Sequence, residues 1–206
     1  MMGELLEQQL TGFKFSRSKL KLVKKTDAGS IAIPISLLST STKGIQRFSS
    51  VAQVRIDELE NIYAIHSPHF NPKNFAESAT VVANCDELFK DKSFVAGFRV
   101  DEDTMVPFID DYSKAVRSDV LPWLEKYSSE QNLLEGLINK DTQQRITPHG
   151  PTIFCVSMAI YAKRNDWDSF DDMAEQFFKF CEKSWNTHFL DLATATIEGI
   201  QKQLRK

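Results

Sequence analysis

Histidines, cysteines and carboxylates are the groups from which chemistry would have to come, and in this chain they are scattered. His66 and His69 stand three apart in His66-Ser67-Pro68-His69. Two imidazoles at that spacing share a zinc ion when the loop curls back and a carboxylate joins them. No third ligand follows at a recognisable spacing, and Pro68 breaks any helical face, so a solvated loop is the plainer reading. His149 and His188 are isolated, as cap or surface histidines commonly are. Cys85, Cys155 and Cys181 are odd in number, far apart and outside any C-x-x-C pattern, which argues against a disulfide framework and a zinc knuckle. Cys155 and Cys181 fall on apolar helical faces, where a thiol acts as a small hydrophobe. The glycine patterns that cradle phosphates and the G-x-S-x-G elbow are absent. Asp101, Glu102, Asp103, Asp110 and Asp111 would bind a divalent cation if they clustered, but acids at a helix N-terminus explain them more simply. No cofactor and no metal site is expected.

The basic stretch at residues 13–26 is more distinctive. It holds Lys14, Arg17, Lys19, Lys21, Lys24 and Lys25 and no acid, which leaves 19 basic against 28 acidic residues elsewhere. Read as one period-two strand, it puts Arg17, Lys19 and Lys21 on one face, with Leu20 and Leu22 packing inward. Such a face suits an acidic protein partner or phosphates, and equally guards an edge strand against pairing. The net charge of -3 and pI near 5.8 give no general attraction to nucleic acid or to an anionic membrane. Nothing in the sequence fixes an oligomeric state.

The elements that would position these groups follow from periodicity. With 42% hydrophobic and 26% charged residues, 206 residues suffice for a packed core. The N-terminus lacks the charge and apolar run of a signal peptide, and no segment approaches eighteen apolar residues, so a soluble cytoplasmic protein is expected. A short helix over residues 4–10 should stop at Gly12. Alternation at Ile31, Ile33, Ile35 and Leu37 predicts a strand, with a turn at Asp27-Ala28-Gly29-Ser30 before it. Pro34 cannot donate to a ladder, so that strand should lie at an edge or bond on its other side there. Ile45, Phe48, Val51, Val54 and Ile56 predict another strand with a bulge. Residues 57–65 turn helical, and residues 80–83 and 94–100 read as short strands. Val116, Val120, Trp123, Leu124 and Tyr127 form a helical stripe interrupted by Pro122, which predicts a kink near residues 118–121 or a fresh helix start at Leu121. Pro107 is tolerable only in the first turn of the helix before it. Ser128 and Gln131 have the form of a capping box opening the next helix, with Leu133, Leu134, Leu137 and Ile138 on its buried face. After the break at Thr147-Pro148-His149-Gly150-Pro151 come three more helices, with Asp168 capping the second.

These readings give an α+β fold: a small antiparallel sheet packed against helices, with a helical C-terminal unit. The expected division is residues 1–147 and 148–206. Phe13, Ile33, Ile35, Val54, Phe98, Trp123, Leu124, Leu134, Ile160, Phe177 and Trp185 should be core.

Gly12-Phe13-Lys14, the basic run after it, and Leu121-Pro122-Trp123-Leu124-Glu125-Lys126-Tyr127-Ser128-Ser129 resemble segments of an uncharacterised, mostly bacterial family, the domain of unknown function numbered 4304. The resemblance spans roughly residues 4–140. It implies a first helix, an antiparallel sheet and a closing helix, and brings no activity or catalytic residue. The expected function is a non-enzymatic protein-interaction protein. The alternatives are a hydrolase-like enzyme whose site assembles only in the fold, and an immunity-type protein that neutralises a toxin. The deepest pocket discriminates between them: convergent reactive groups favour catalysis.

Overall fold

The computed structural model describes residues 2–39, 41, 45–68, 70–75, 77–91, 98–99, 102–147, 149–184 and 187–205. The chain is α+β, with an antiparallel sheet and a helical C-terminal region. It forms two compact units, Met1–Val54 with Val82–Ser128, and Arg55–Val81 with Ser129–Lys206. The division therefore does not fall at residue 147. Residues 55–81 belong with the C-terminal helices because Leu59 and Ile62 give their helix an apolar face that packs there.

In the first unit, α1 (Met2–Gln9) is followed by Gly12 at φ 85°, the left-handed stop expected of it. The strands are β1 (Lys14–Ser16), β2 (Lys21–Thr26), β3 (Gly29–Ser39), β4 (Ile45–Ile56), β5 (Val81–Asn84) and β6 (Phe98–Arg99). Their order is β1-β2-β3-β4-β5, with β6 pairing with β4 off that path. Thr26 pairs with Gly29, leaving Asp27-Ala28 as a two-residue turn. Strand β3 is interior, so of the two placements expected for Pro34 the edge is not taken. The Ile35 N–H donates to the Leu20 carbonyl at 2.9 Å, which makes the adjacent Lys21–Pro34 pair the non-bonded kind, so the donor that Pro34 lacks faces away from β2 and the β2 ladder stays intact there. Ile31, Ile33 and Ile35 are buried as expected, whereas Leu37 is 44% exposed. Among the described side chains of β4, Phe48, Ser50, Ala52, Val54 and Ile56 are buried. From Phe48 onward the alternation is regular: Ser50, and not Val51, faces inward, where it accepts a 2.7 Å hydrogen bond from Tyr112.

A short helix α4 (Cys85–Leu88) precedes a long helical run of α5 (Glu102–Ala115), a π-helical turn (Val116–Val120) and α6 (Leu121–Tyr127). Pro107 lies inside α5, past the first turn that was expected to hold it, on an exposed face. Pro122 starts α6 directly after the π turn. The expected irregularity is thus a widened turn, which absorbs the missing donor and lets Tyr112, Val116, Val120 and Leu124 form one buried stripe at spacings of four. The Lys90 N–H bonds Asp119 on that turn at 2.9 Å. Tyr112 packs edge-on against Phe48 at 4.6 Å, so it, and not Trp123, is the ring seated on the sheet. Trp123 is half-buried against Tyr127, a correction to the expected core. The side chains of Phe98 and Trp185 lie outside the described residues.

The second unit holds α2 (Asp57–Tyr63) with a 3-10 turn (Ala64–His66), α3 (Pro72–Phe75), α7 (Glu130–Ile138), α8 (Gln143–Ile146), α9 (Gly150–Lys163), α10 (Trp167–Ser184) and α11 (Thr187–Leu204). The capping box does not form. Ser128 is helical and its hydroxyl donates back to Leu124, while Ser129 takes the N-cap position through its carbonyl. Gly136 replaces Ile138, 49% exposed, on the inner face of α7. Asp166, and not Asp168, caps α10 by accepting the Ser169 N–H at 3.1 Å. Lys163 ties α9 to α2 and α7 through Glu58 and Glu130, each at 2.6 Å. Among the described residues no helix is long and apolar enough to cross a membrane.

Gly3 is buried, and a methyl there would overlap the Phe15 ring that holds α1 to the sheet. Gly3→Ala should cost the first unit about 1–3 kcal/mol in urea melts, and adding Phe15→Leu should recover part of the loss. Unchanged stability in the single variant would contradict this packing.

Candidate functional site

Helix α2 begins directly after β4, and its buried face carries Leu59, Ile62 and a carboxylate, Glu60, that is fully buried. A charge there must have its lone pairs satisfied. Oε1 accepts hydrogen bonds from the Tyr63 hydroxyl at 2.7 Å and the Thr80 hydroxyl at 2.9 Å, and Oε2 accepts one from Ser78 at 2.5 Å. The Arg55 guanidinium lies 3.7 Å from Oε2 with its side chain 11% exposed. It also donates to the Phe75 carbonyl at 2.7 Å and to Asp57 at 2.5 Å, and lies over the Phe75 ring, 4.8 Å from its centre. Thr80 relays the network to the backbone by accepting the Ile56 N–H at 2.8 Å. The carboxylate thus fastens α2 to Ser78 and Thr80, while Arg55 holds the Phe75 carbonyl beside them.

Beside this network opens a cavity of about 340 Å³. Glu60, Tyr63 and Ala64 form one wall, Phe70, Phe75, Ser78 and Ala79 another, and His149, Pro151, Thr152 and Cys155 a third, at the start of α9. His149 Nδ1 lies 2.9 Å from the Thr152 hydroxyl, and the Thr152 N–H donates to the His149 carbonyl at 3.0 Å. His149 is exposed by area, yet the protein on one side of the ring removes enough water to lower its pKa below the usual 6.5. Burial pushes the Cys155 thiol up to about 12, which removes it as a nucleophile at neutral pH. Burial, then the charge of Glu60, hold the Tyr63 phenol well above 10.0.

The residues singled out by sequence do not meet here. Residues 17–20 form the turn between β1 and β2, so Arg17 and Lys19 are not on a strand and share no stripe with Lys21. The break comes at Leu20, which adopts φ 47° and is 57% exposed, where the expected strand would bury it. Arg17 pairs with Glu4, and Lys14 with Glu7 at 3.1 Å, so acids of α1 answer part of the basic run. His66 bonds Gln203 at 2.9 Å and its ring lies against Gly199 on α11, while His69 lies outside the described residues. Asp110 pairs with Gln9, and Asp111 with Lys114 at 3.0 Å. Among the described residues no three His, Cys, Asp or Glu side chains converge as metal ligands. The missed residues are Arg55, Glu60, Ser78 and Thr80. One signal was available: Glu60 follows Leu59 and precedes Ile62 and Tyr63, a charge set into an apolar stripe.

No family model, curated protein or solved structure matches the chain.

Glu60→Ala takes the acceptor from the Tyr63 and Thr80 hydroxyls and a counter-charge from Arg55, and should destabilise the second unit by about 3–5 kcal/mol in denaturant unfolding. A loss under about 1 kcal/mol would show that the network is not structural. Because the Tyr63 pKa is raised on folding, its contribution is complete below pH 10.0 and is lost as pH climbs beyond it, where the unfolded chain binds fewer protons. Tyr63→Phe should therefore flatten the decline of stability above pH 10 in urea melts, and an unchanged slope would contradict the assignment.

Proposed function

We propose that this protein is a non-enzymatic binding protein and that the cavity beside Glu60 is its binding site. The observation that supports this most is the state of the reactive groups around the cavity. Glu60 is fixed in place by the hydroxyls of Tyr63, Ser78 and Thr80, and the Cys155 thiol is held protonated by burial. What remains is a concave surface with aromatic and small apolar walls and a few polar groups, the usual make-up of a small-ligand site.

A hydrolytic reading has one observation in its favour, the pairing of a His149 kept neutral with the Thr152 hydroxyl. His149 is the N-cap residue of α9 and its carbonyl accepts the Thr152 N–H, so the start of the helix itself brings the two side chains together and explains the pair without catalysis.

Amide chemical shifts followed during titration with phenol, benzylamine, benzoate and tetramethylammonium test the binding reading. At least one probe should shift the amides of Ala64, Ala79 and Thr152 together. Shifts confined to other residues, or none with any probe, would overturn it. Hydrolysis of p-nitrophenyl acetate should be unaffected by Thr152→Val, and a loss of a hundredfold or more would favour the enzyme.

A further inference from the structure

We propose that the cavity takes a compact organic cation, a quaternary or alkylated ammonium, held against the rings of Tyr63, Phe70 and Phe75 and facing the carboxylate of Glu60. The inference rests on the binding reading above and adds the chemical class of the ligand.

Three observations support it. Among the described residues that line the cavity, Glu60 is the charged side chain, and no lysine or arginine is present. The local balance is negative: Arg55 stands between two acids, 2.5 Å from Asp57 and 3.7 Å from Glu60, so one negative charge is left over. The walls are aromatic in a geometry that favours cations. Phe70 and Phe75 meet edge-on at 5.4 Å and 66°, and Phe75 already holds the guanidinium of Arg55 4.8 Å from its ring centre. Ring faces attract cations through their quadrupole, more strongly when water is excluded, and aromatic walls with a nearby carboxylate recognise quaternary ammonium groups in this way. His149 adds no opposing charge at neutral pH, because its pKa is lowered. A volume near 340 Å³ is ample for a choline-sized molecule and leaves the hydroxyl of Thr152 and the amide of Asn71 for a polar substituent.

The test compares choline with 3,3-dimethyl-1-butanol, its neutral isostere, by amide-shift titration of the full chain. Choline should shift the amides of Ala64, Ala79 and Thr152 and bind at least tenfold more tightly than the alcohol. Equal affinity for the two would overturn the cation inference while leaving the cavity as a binding site, and silence with these and with every probe above would remove both. Phe70→Leu should weaken choline at least fivefold and leave the alcohol unchanged. Glu60→Gln, where it remains folded by circular dichroism, should do the same, and unchanged choline affinity in Phe70→Leu would contradict the aromatic contact.

Discussion

A carboxylate that is wholly buried has to be answered from every side, and the second unit is arranged around that demand. Glu60 draws in three hydroxyls and one guanidinium, and those partners come from the strand before its helix, from the helix itself and from the chain after it. Net hydrogen bonds are each worth little, but removing one partner from a buried charge is costly, so the set behaves as a unit. Among its described residues, the segment carrying Phe70, Phe75 and Ser78 has little regular structure of its own beyond the four residues of α3. Arg55 and Glu60 hold it in place, and the cavity wall exists because they do.

The first unit solves a different constraint. A long helical run must cross a proline without losing its apolar seam, and the π turn at Val116–Val120 supplies the extra residue that keeps Tyr112, Val116, Val120 and Leu124 in register. Asp119 on the same turn receives the Lys90 N–H, which lowers its pKa and pins the chain after α4. Pro122 is therefore a cause of local geometry, not of a break.

Much of the fold was legible because period and punctuation agree: Ile31, Ile33 and Ile35 are buried, the two-residue turn lies at Asp27-Ala28, and the helix start expected at Leu121 is there after a π turn. The failures share a physical origin. At Leu20 one left-handed residue ends a strand that alternation alone extends, and the basic stripe of Arg17, Lys19 and Lys21 goes with it. At Ser50 and Gly136 a small residue fits an inner position that pattern reading assigns to a neighbouring Val51 or Ile138. Ser128 and Asp168 each sit near a real cap, but the backbone at Ser129 and Asp166 is what takes the capping conformation. The site was hardest to see because it is built from Arg55, Glu60, Ser78 and Thr80, which converge only through tertiary packing. The anomaly of Glu60 within an apolar stripe marked one member and could not name its partners.

The claim on which the rest depends is that Glu60 and its hydroxyl donors act as one cooperative network. A double-mutant cycle on Glu60→Gln and Ser78→Ala, measured by urea unfolding, tests it most directly. The account predicts a coupling energy of about 0.5–3 kcal/mol between the two sites. Additive effects, with coupling indistinguishable from zero, would contradict it.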